Sequence, residues 1–483
     1  MSGASLILGP DGRPARQIDA VRAYYEAARW TPARSQPLTS YVDARQDISR
    51  WSRSRIASKA RYLEANSPTF DGLATRLADL VVSTGITPTP ATSSKRFNAA
   101  AAEFWRQWSG ACELTGALDF GGLLWLAYRR GPVIDGDCGI LLTWGDDNTP
   151  KLQIIESHRL AGDSPKPDFD GVTLDPLGRP LGYTITTTAA DNSTSTTTVP
   201  ASSLVLCMLP TRAHQARGMS MFASAIHEFE DVDDILALEK AAVKKASSQV
   251  DVIYSQQNPE ENPTAFGIGK SVRTLNDGTQ RVEYYKQVTG TETKVLMPED
   301  RYQIVESNRP SNAWAGFMDF LDKTVCRPSG ISANVLLDLK VGGADTRKDV
   351  AQARRTIARH QAMLVRKAQA IYEYALSWAI DKGMVANAPL EWQRCEWHLP
   401  PDLTVDAGRD SQADREDVKA GLLTRREYWA RFGLDWREQT EQKAIEAAAI
   451  NELARRYKVE RAEIALLDPS ELAVRAVNPD PQP

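Results

Sequence analysis

The stretch "SMFASAIHEFEDVDDILALEKAAVKKASSQ", residues 220–249, decides how the rest of the chain is read. Phe222, Ile226, Phe229, Val232, Leu236 and Val243 recur at three- and four-residue steps, with one seven-residue gap. That is the period of an amphipathic helix. Its first half is acidic (Glu228, Glu230, Asp231, Asp233, Asp234) and its second half basic (Lys240, Lys244, Lys245). This order of charge suits the helix dipole. About 28 residues at 1.5 Å each would span roughly 42 Å, long for a globular helix. Neighbouring side chains on a helix diverge, so the five acids cannot meet at one ion. They form a solvated or channel-facing acidic face.

Downstream, residues 251–304 read as short strands and turns, and a second helix follows at about 311–325 with Trp314, Phe317, Met318 and Leu321, ended by Pro328. A β-excursion therefore sits between two helices. Next comes "VLLDLKVGGADTRKDVAQARRTIARHQ", residues 335–361. Gly342 and Gly343 give a flexible loop, Asp345 or Thr346 the N-cap, and a helix runs to about Lys382, closed by Gly383. Its charges are mostly basic: Arg347, Lys348, Arg354, Arg355, Arg359, Arg366 and Lys367. They are either a solvated face or a face packed on acidic neighbours in an oligomer. The loop lacks the GK[ST] ending of a nucleotide phosphate cradle.

Upstream, residues 1–40 are polar and broken by prolines, an arm that orders only against a partner. A helix is expected from Asp43, with Ile48, Trp51, Ile56 and Leu63 as its apolar stripe. Another carries Leu73, Leu77 and Leu80 and stops at Gly85. Two more are stopped by Gly110 and by Gly131-Pro132. Residues 134–210 hold β-branched runs between turn residues, a small antiparallel β-region with a threonine-rich hairpin. Past an aromatic stretch with part-strand character, the tail reads as helices, and Thr424 with Glu427 forms a capping box.

The chain has 483 residues, 42% of them apolar and 25% charged, with a net charge of −4. That is ordinary for a soluble globular protein of two to four domains or subdomains. A protein whose main task is gripping nucleic acid is usually basic, so any such contact here is local or transient. Five scattered cysteines, with no CxxC, suggest neither a disulfide framework nor a zinc site, and point to a reducing cytosol. No signal peptide or membrane span is expected. "GIGKS" (267–271) imitates half of a phosphate loop, but Thr264 stands where the first glycine belongs and no buried strand precedes it. The five histidines form no ligand cluster, and a packing or surface role is expected for His227 and His360. Neither a catalytic residue, a metal site nor a cofactor is predicted.

Several segments in order carry a resemblance. They are "RYLEANSPTFDGLATRLADLVVSTGITPTP", "FWRQWSG…DFGGLLWLAYRRGPVIDGDCGILL", "PSGISANVLLDL" before a polar helix, and "VKAGLLTRREYWARFGLDWREQTEQKAIE". Together they resemble the portal (head–tail connector) proteins of tailed bacteriophages, in the lambda-like branch, over roughly 40–455. The start of the long helix departs from the family pattern, with "GGADTRKD" in place of a tyrosine- and serine-rich sequence.

The resemblance implies an α+β, mainly helical portal-type fold. Its parts would be an arm (1–40), a wing (41–220), a first stem helix (221–249), a clip (250–305), a second stem helix (306–328), a tunnel loop (329–345), a spine helix (346–385), a crown (386–470) and a tail (471–483). It implies a non-enzymatic homo-oligomeric ring, usually of twelve copies, in the virion at one capsid vertex, conducting double-stranded DNA. Implied partners are the terminase large subunit, a head–tail adaptor, and the major capsid and scaffolding proteins. Lys340, Val341, Gly342, Gly343 and Ala344 would face DNA. Another virion structural protein binding at that vertex is the alternative. Long helices without a core of their own need neighbours, which a heterologous ring contact supplies.

Overall fold

The computed structural model describes residues 43–160, 169–188, 191–247, 252–254, 269–274, 280–288, 291–296, 314–337, 344–404, 407–430, 432, 434, 436–461 and 464. The expected arm (1–40) and tail (471–483) lie outside them.

Asp43 caps a one-turn helix, Ala44–Asp47, and the chain breaks at Ile48 before Ser49 caps α1, Arg50–Asn66. One unbroken helix from Asp43 was expected; two separate capping side chains, each taking a backbone N–H, divide it. Trp51 is not part of the stripe: it is 70% exposed, and α1 buries Arg53, Ala60 and Leu63. Ser67 caps α2, Pro68–Val81, which starts on proline, a residue whose missing N–H costs nothing there. Leu73 and Leu77 are buried and Leu80 half-buried, as their spacing predicts. The residue just past the C-cap of α2 is Ser83, at φ 51°, and Gly85, two residues on, takes a positive φ of 115° as well. Gly85 lies against Gly121, where an added Cβ would come 2.3 Å from the Thr84 carbonyl oxygen.

After β1, Thr87–Pro90, come α3, Lys95–Ser109, and α4, Phe120–Tyr128, capped by Ser94 and Asp119. Gly131-Pro132 does not stop the chain's helical course. It continues as a π turn, Arg129–Asp135, with Pro132 inside. The wider turn does without the missing N–H, and the Pro132 carbonyl accepts from Met221 N–H at 3.0 Å.

The β-region is two three-stranded antiparallel sheets. One is ordered β3-β2-β7 (β2 Asp137–Trp144, β3 Pro150–Glu156, β7 Leu204–Met208), the other β4-β5-β6 (β4 Val172–Leu174, β5 Pro180–Thr188, β6 Thr194–Pro200). The threonine-rich stretch is the β5–β6 hairpin, in register from Gly182↔Pro200 to Thr188↔Thr194. In β7, Val205 and Cys207 join the main core while Leu204 and Leu206 join a smaller one with Ile155, Leu160, Val172, Leu174, Tyr183 and Ile185. Burial on both faces explains why "LVLC" is apolar without alternation.

Helix α5 is Ile226–Ser247; it starts later than the expected 220 because a 3-10 turn, Ala223–Ala225, precedes it, and residues 248–249 lie outside the described residues. Its 22 residues span about 33 Å. A four-stranded sheet ordered β8-β11-β10-β9 follows (β8 Val252–Tyr254, β9 Gly269–Thr274, β10 Gln280–Val288, β11 Thr291–Leu296), with β8 and β11 parallel. Lys270 and Ser271 of the "GIGKS" stretch lie inside β9, paired with β10. Strand geometry there is incompatible with a loop that cradles phosphate.

Helix α6, Trp314–Cys326, leads through a 3-10 turn and a one-turn helix, Ala333–Leu336, to α7, Ala344–Asp381. Since α7 already begins at Ala344, Asp345 is a first-turn acid, favoured there by the dipole, and not the N-cap. Strand β12, Cys395–His398, pairs with β1 across more than 300 residues of sequence, and three helices close the described chain: α8 Ala407–Ala420, α9 Arg425–Ala430 and α10 Trp436–Tyr457. The capping box forms: Thr424 Oγ1 accepts from Glu427 N–H at 3.2 Å, and Glu427 accepts from Thr424 N–H at 3.0 Å. The main core gathers α2, α3, α4, the inner face of β2 and β7, the start of α5, the end of α6, and α7.

Candidate channel segment

The root of α5 is built by aromatics. Phe222 and Phe229 stack edge-on with each other at 5.5 Å and with Phe70 of α2 at 5.5 and 5.0 Å, all three buried. Ile226 and Val232 complete this anchored face. Farther along, the apolar side chains come out of the core: Leu238 is 67% exposed and Val243 is exposed too, although Glu239 between them is still buried. Helix α6 mirrors this. Its C-terminal Leu321, Val325 and Cys326 are buried, while Phe317 and Phe320 nearer its start stand exposed. The two helices contact each other, so they leave the core as a pair, rooted where α5 begins and α6 ends. Sequence periodicity marked these positions as apolar but could not say where the core stops.

The predicted acidic face of α5 divides. Asp231 and Asp234 are exposed, and Glu228 and Asp233 half-buried. Glu230 pairs with Lys59 of α1 at 2.8 Å and with His227 at 2.9 Å, which hold its carboxyl below the usual range. No group of three or more possible metal-ligating side chains forms among the described residues.

Of the predicted tunnel-loop residues, Lys340, Val341, Gly342 and Gly343 lie outside the described residues, and Ala344 opens α7. The loop's flanks are tied: Asn334 donates to Asp349 at 2.6 Å, and Thr356 to the Gly330 carbonyl at 3.1 Å. On α7, Arg347, Lys348, Arg355 and Arg359 are exposed, while Arg354 is half-buried and donates to the Leu403 carbonyl at 2.7 Å. The opposite face buries Val350, Ala353, Ile357, Leu364, Ile371 and others through to Ala379.

His360 is buried on that face, its Nδ1 2.7 Å from the Tyr128 hydroxyl of α4. Burial, with Arg359 nearby, holds the imidazole down to about 4. It is therefore neutral, and the two groups share one hydrogen bond whose donor is set by the imidazole tautomer. His227, by contrast, is a surface residue.

What holds the β-region to the helices escaped the sequence reading. Asp135 and Asp137, either side of Gly136, each take an arginine from far away. Arg61 donates to Asp135 at 2.7 Å. Arg217 clamps Asp137 with two bonds, at 2.7 and 2.9 Å, and Ser157 Oγ and Gly218 N–H also donate to it, at 2.6 Å each. Burial alone would raise Asp137, but Arg217 and Arg53 outweigh it and hold the carboxyl below the usual range. Gly136 takes φ 101° here, and an added Cβ would meet the Met219 backbone at 2.5 Å. The "DGD" order is thus two ion-pair anchors about one obligatory glycine.

These features define a structural subunit with a long helix pair leaving its core. The lambda family of phage portal proteins has a sequence model that matches residues 33–361, well over half of the chain. The chain belongs to this family of head–tail connectors. No curated protein matches it. Among solved structures it is similar to a chain from the neck of a native GTA particle computed with C12 symmetry, at 13% identity over 78% of this chain and 92% of that one, with a TM-score of 0.45. It is likewise similar to a chain from the neck of an empty GTA particle computed with C6 symmetry, at 16% identity over 78% and 93%, with a TM-score of 0.45. Among the described residues no helix is long and apolar enough to cross a membrane.

Proposed function

We propose that this chain assembles into a closed ring, of twelve copies, at one vertex of a phage capsid, and that double-stranded DNA is packaged and ejected through its bore. The observation that carries the reading is the solvent-exposed apolar surface of Leu238 on α5 and of Phe317 and Phe320 on α6. A helix pair with large apolar side chains beyond the core needs a neighbour, and a second copy of the same chain in a heterologous contact supplies one repeatedly around a ring. In this reading α5 and α6 are the stem, residues 250–305 the clip, α7 the spine, and residues 386–470 the crown.

The exposed arginines of α7 and the acids of α5 then serve contacts between copies or the wall of the bore. A chain of net charge −4 suits a conduit, since each phosphate neutralised by Lys or Arg would strengthen non-specific binding and hold the duplex back. The terminase large subunit supplies the motor and docks on the ring before the head–tail adaptor replaces it, while capsid and scaffolding proteins set its place in the shell.

Native mass measurement and axial negative-stain images test the ring. A central channel and a multiple of the 53.3 kDa subunit support it; a strict monomer at high concentration, with and without scaffold, overturns it. Lys340 and the following residues to Ala344 are proposed to approach the DNA. Lys340→Glu should then alter packaging or genome retention while rings still form, and unchanged packaging and retention would reduce the loop to a connector.

A further inference from the structure

Two of the five cysteines face each other. Cys138 of β2 and Cys207 of β7 are direct partners in the antiparallel ladder, both fully buried in the main core. Directly opposed residues of such a ladder point to the same face, with Cα atoms about 4.5–5.5 Å apart. A disulfide spans Cα separations of roughly 4.4–6.8 Å. Its Cβ atoms need roughly 3.5–4.5 Å, against about 4.5–5.5 Å for opposed strand residues, so closure asks for a shift of about 1 Å. Both side chains are thiols in this structure, as are Cys112, Cys326 and Cys395. Of those three, Cys395 pairs in its own ladder with Pro90, and no other described ladder opposes two cysteines. Gly131 of the π turn lies so close that an added Cβ would be 3.1 Å from Cys138 Cβ and 3.0 Å from the Cys207 carbonyl oxygen.

We propose that Cys138 and Cys207 form an oxidation site, which closes to a cross-strand disulfide when the protein passes from a reducing to an oxidising medium. The inference rests on register and burial, and holds whether or not the chain forms a ring. With a small disulfide such as oxidised glutathione, one cysteine thiolate attacks a glutathione sulfur and expels one glutathione thiolate. The second cysteine thiolate then attacks the protein-side sulfur of the mixed disulfide and expels the other. Two cysteines are oxidised, one oxidised glutathione is reduced to two thiols, and the two cysteine protons end on those thiols.

A glutathionyl group has no room in a packed core, so the exchange passes through a state in which β7 opens from β2. Burial pushes the Cys207 thiol up to about 11 and that of Cys138 well above the ordinary thiol range, which makes thiolate scarce and the reaction slow. The closed bond ties together the two ends of the segment that carries β3, β4, β5 and β6. It also fixes the sheet against which α7 packs.

The test uses the full chain, purified reduced and then held in oxidised glutathione, both folded and during refolding from urea. Cysteines are alkylated in denaturant and mapped by peptide mass. The expected result is a Cys138–Cys207 linked peptide short of two hydrogens, with Cys112, Cys326 and Cys395 alkylated, and no linked peptide in Cys207→Ser. Wild-type protein retaining all five thiols after both treatments overturns the proposal. So does a stable glutathione adduct on either residue, or pairing of either with another cysteine.

Discussion

The His360–Tyr128 pair makes the core of this subunit acid-sensitive by an amount that can be worked out. Both residues are buried, and burial holds the histidine near 4 against an ordinary 6.5. Between those values the unfolded chain binds a proton that the folded chain refuses. The stability from this site is therefore complete above about pH 6.5 and is lost as pH falls toward 4. A tenfold difference in proton affinity between the two states corresponds to about 1.4 kcal/mol, so going from pH 7 to pH 5 costs about 2 kcal/mol. The perturbation is the double variant Tyr128→Phe/His360→Leu, which removes both polar partners and should be near neutral at pH 7. His360→Leu alone orphans the tyrosine hydroxyl and should cost about 1–3 kcal/mol at either pH. Urea denaturation followed by fluorescence of the core tryptophans, Trp105 among them, gives stability at pH 7 and pH 5. Wild type should lose about 2 kcal/mol more than the double variant over that interval. Equal losses would refute the assignment of a neutral, buried imidazole.

Four further outcomes follow from named contacts. Arg217→Met leaves Asp137 buried without its two-pronged partner and should cost about 3–5 kcal/mol in urea denaturation, whereas Arg212→Met, at a half-exposed pair with Asp47, should cost under about 1 kcal/mol. Gly121→Ala drives a methyl into the Thr84 carbonyl, which cannot give way as a side chain would, and should cost about 1–3 kcal/mol or more in thermal melting. Thr424→Ala removes the capping hydroxyl of α9, and amide hydrogen exchange near Glu427 should quicken about fivefold, the equivalent of about 1 kcal/mol. Phe317→Asp changes an exposed residue of α6, so subunit stability should move by no more than about 0.5 kcal/mol while ring assembly, measured by native mass, is lost.

What could be read from sequence follows how local the cause is. Helix α2 declares itself through Ser67, Pro68 and the leucine spacing, and α9 through Thr424 and Glu427, because cap and stripe lie within a few residues of each other. The β5–β6 hairpin is equally local. Errors arise where a distant partner overrules the local signal. Pro132 reads as a stop, yet the Met221 N–H and the wide turn carry the chain past it. Trp51 reads as core because its spacing fits, but the neighbours that α1 packs on leave its side exposed.

The same division governs the candidate site. The apolar positions of α5 and α6 are plain in the sequence, but which of them lie beyond the core depends on Phe70, some 150 residues before α5. The Arg53, Asp137, Ser157, Asp170 and Arg217 network has single bonds that span up to 117 residues of sequence, so no short window of sequence contains it. Nor does the spacing of 69 residues between Cys138 and Cys207 suggest a pair; only the β2–β7 register brings them opposite one another. Charge at a distance and strand register are properties of the folded chain. The ordered segments give the family, while the extent of the exposed helix pair is set by where packing ends.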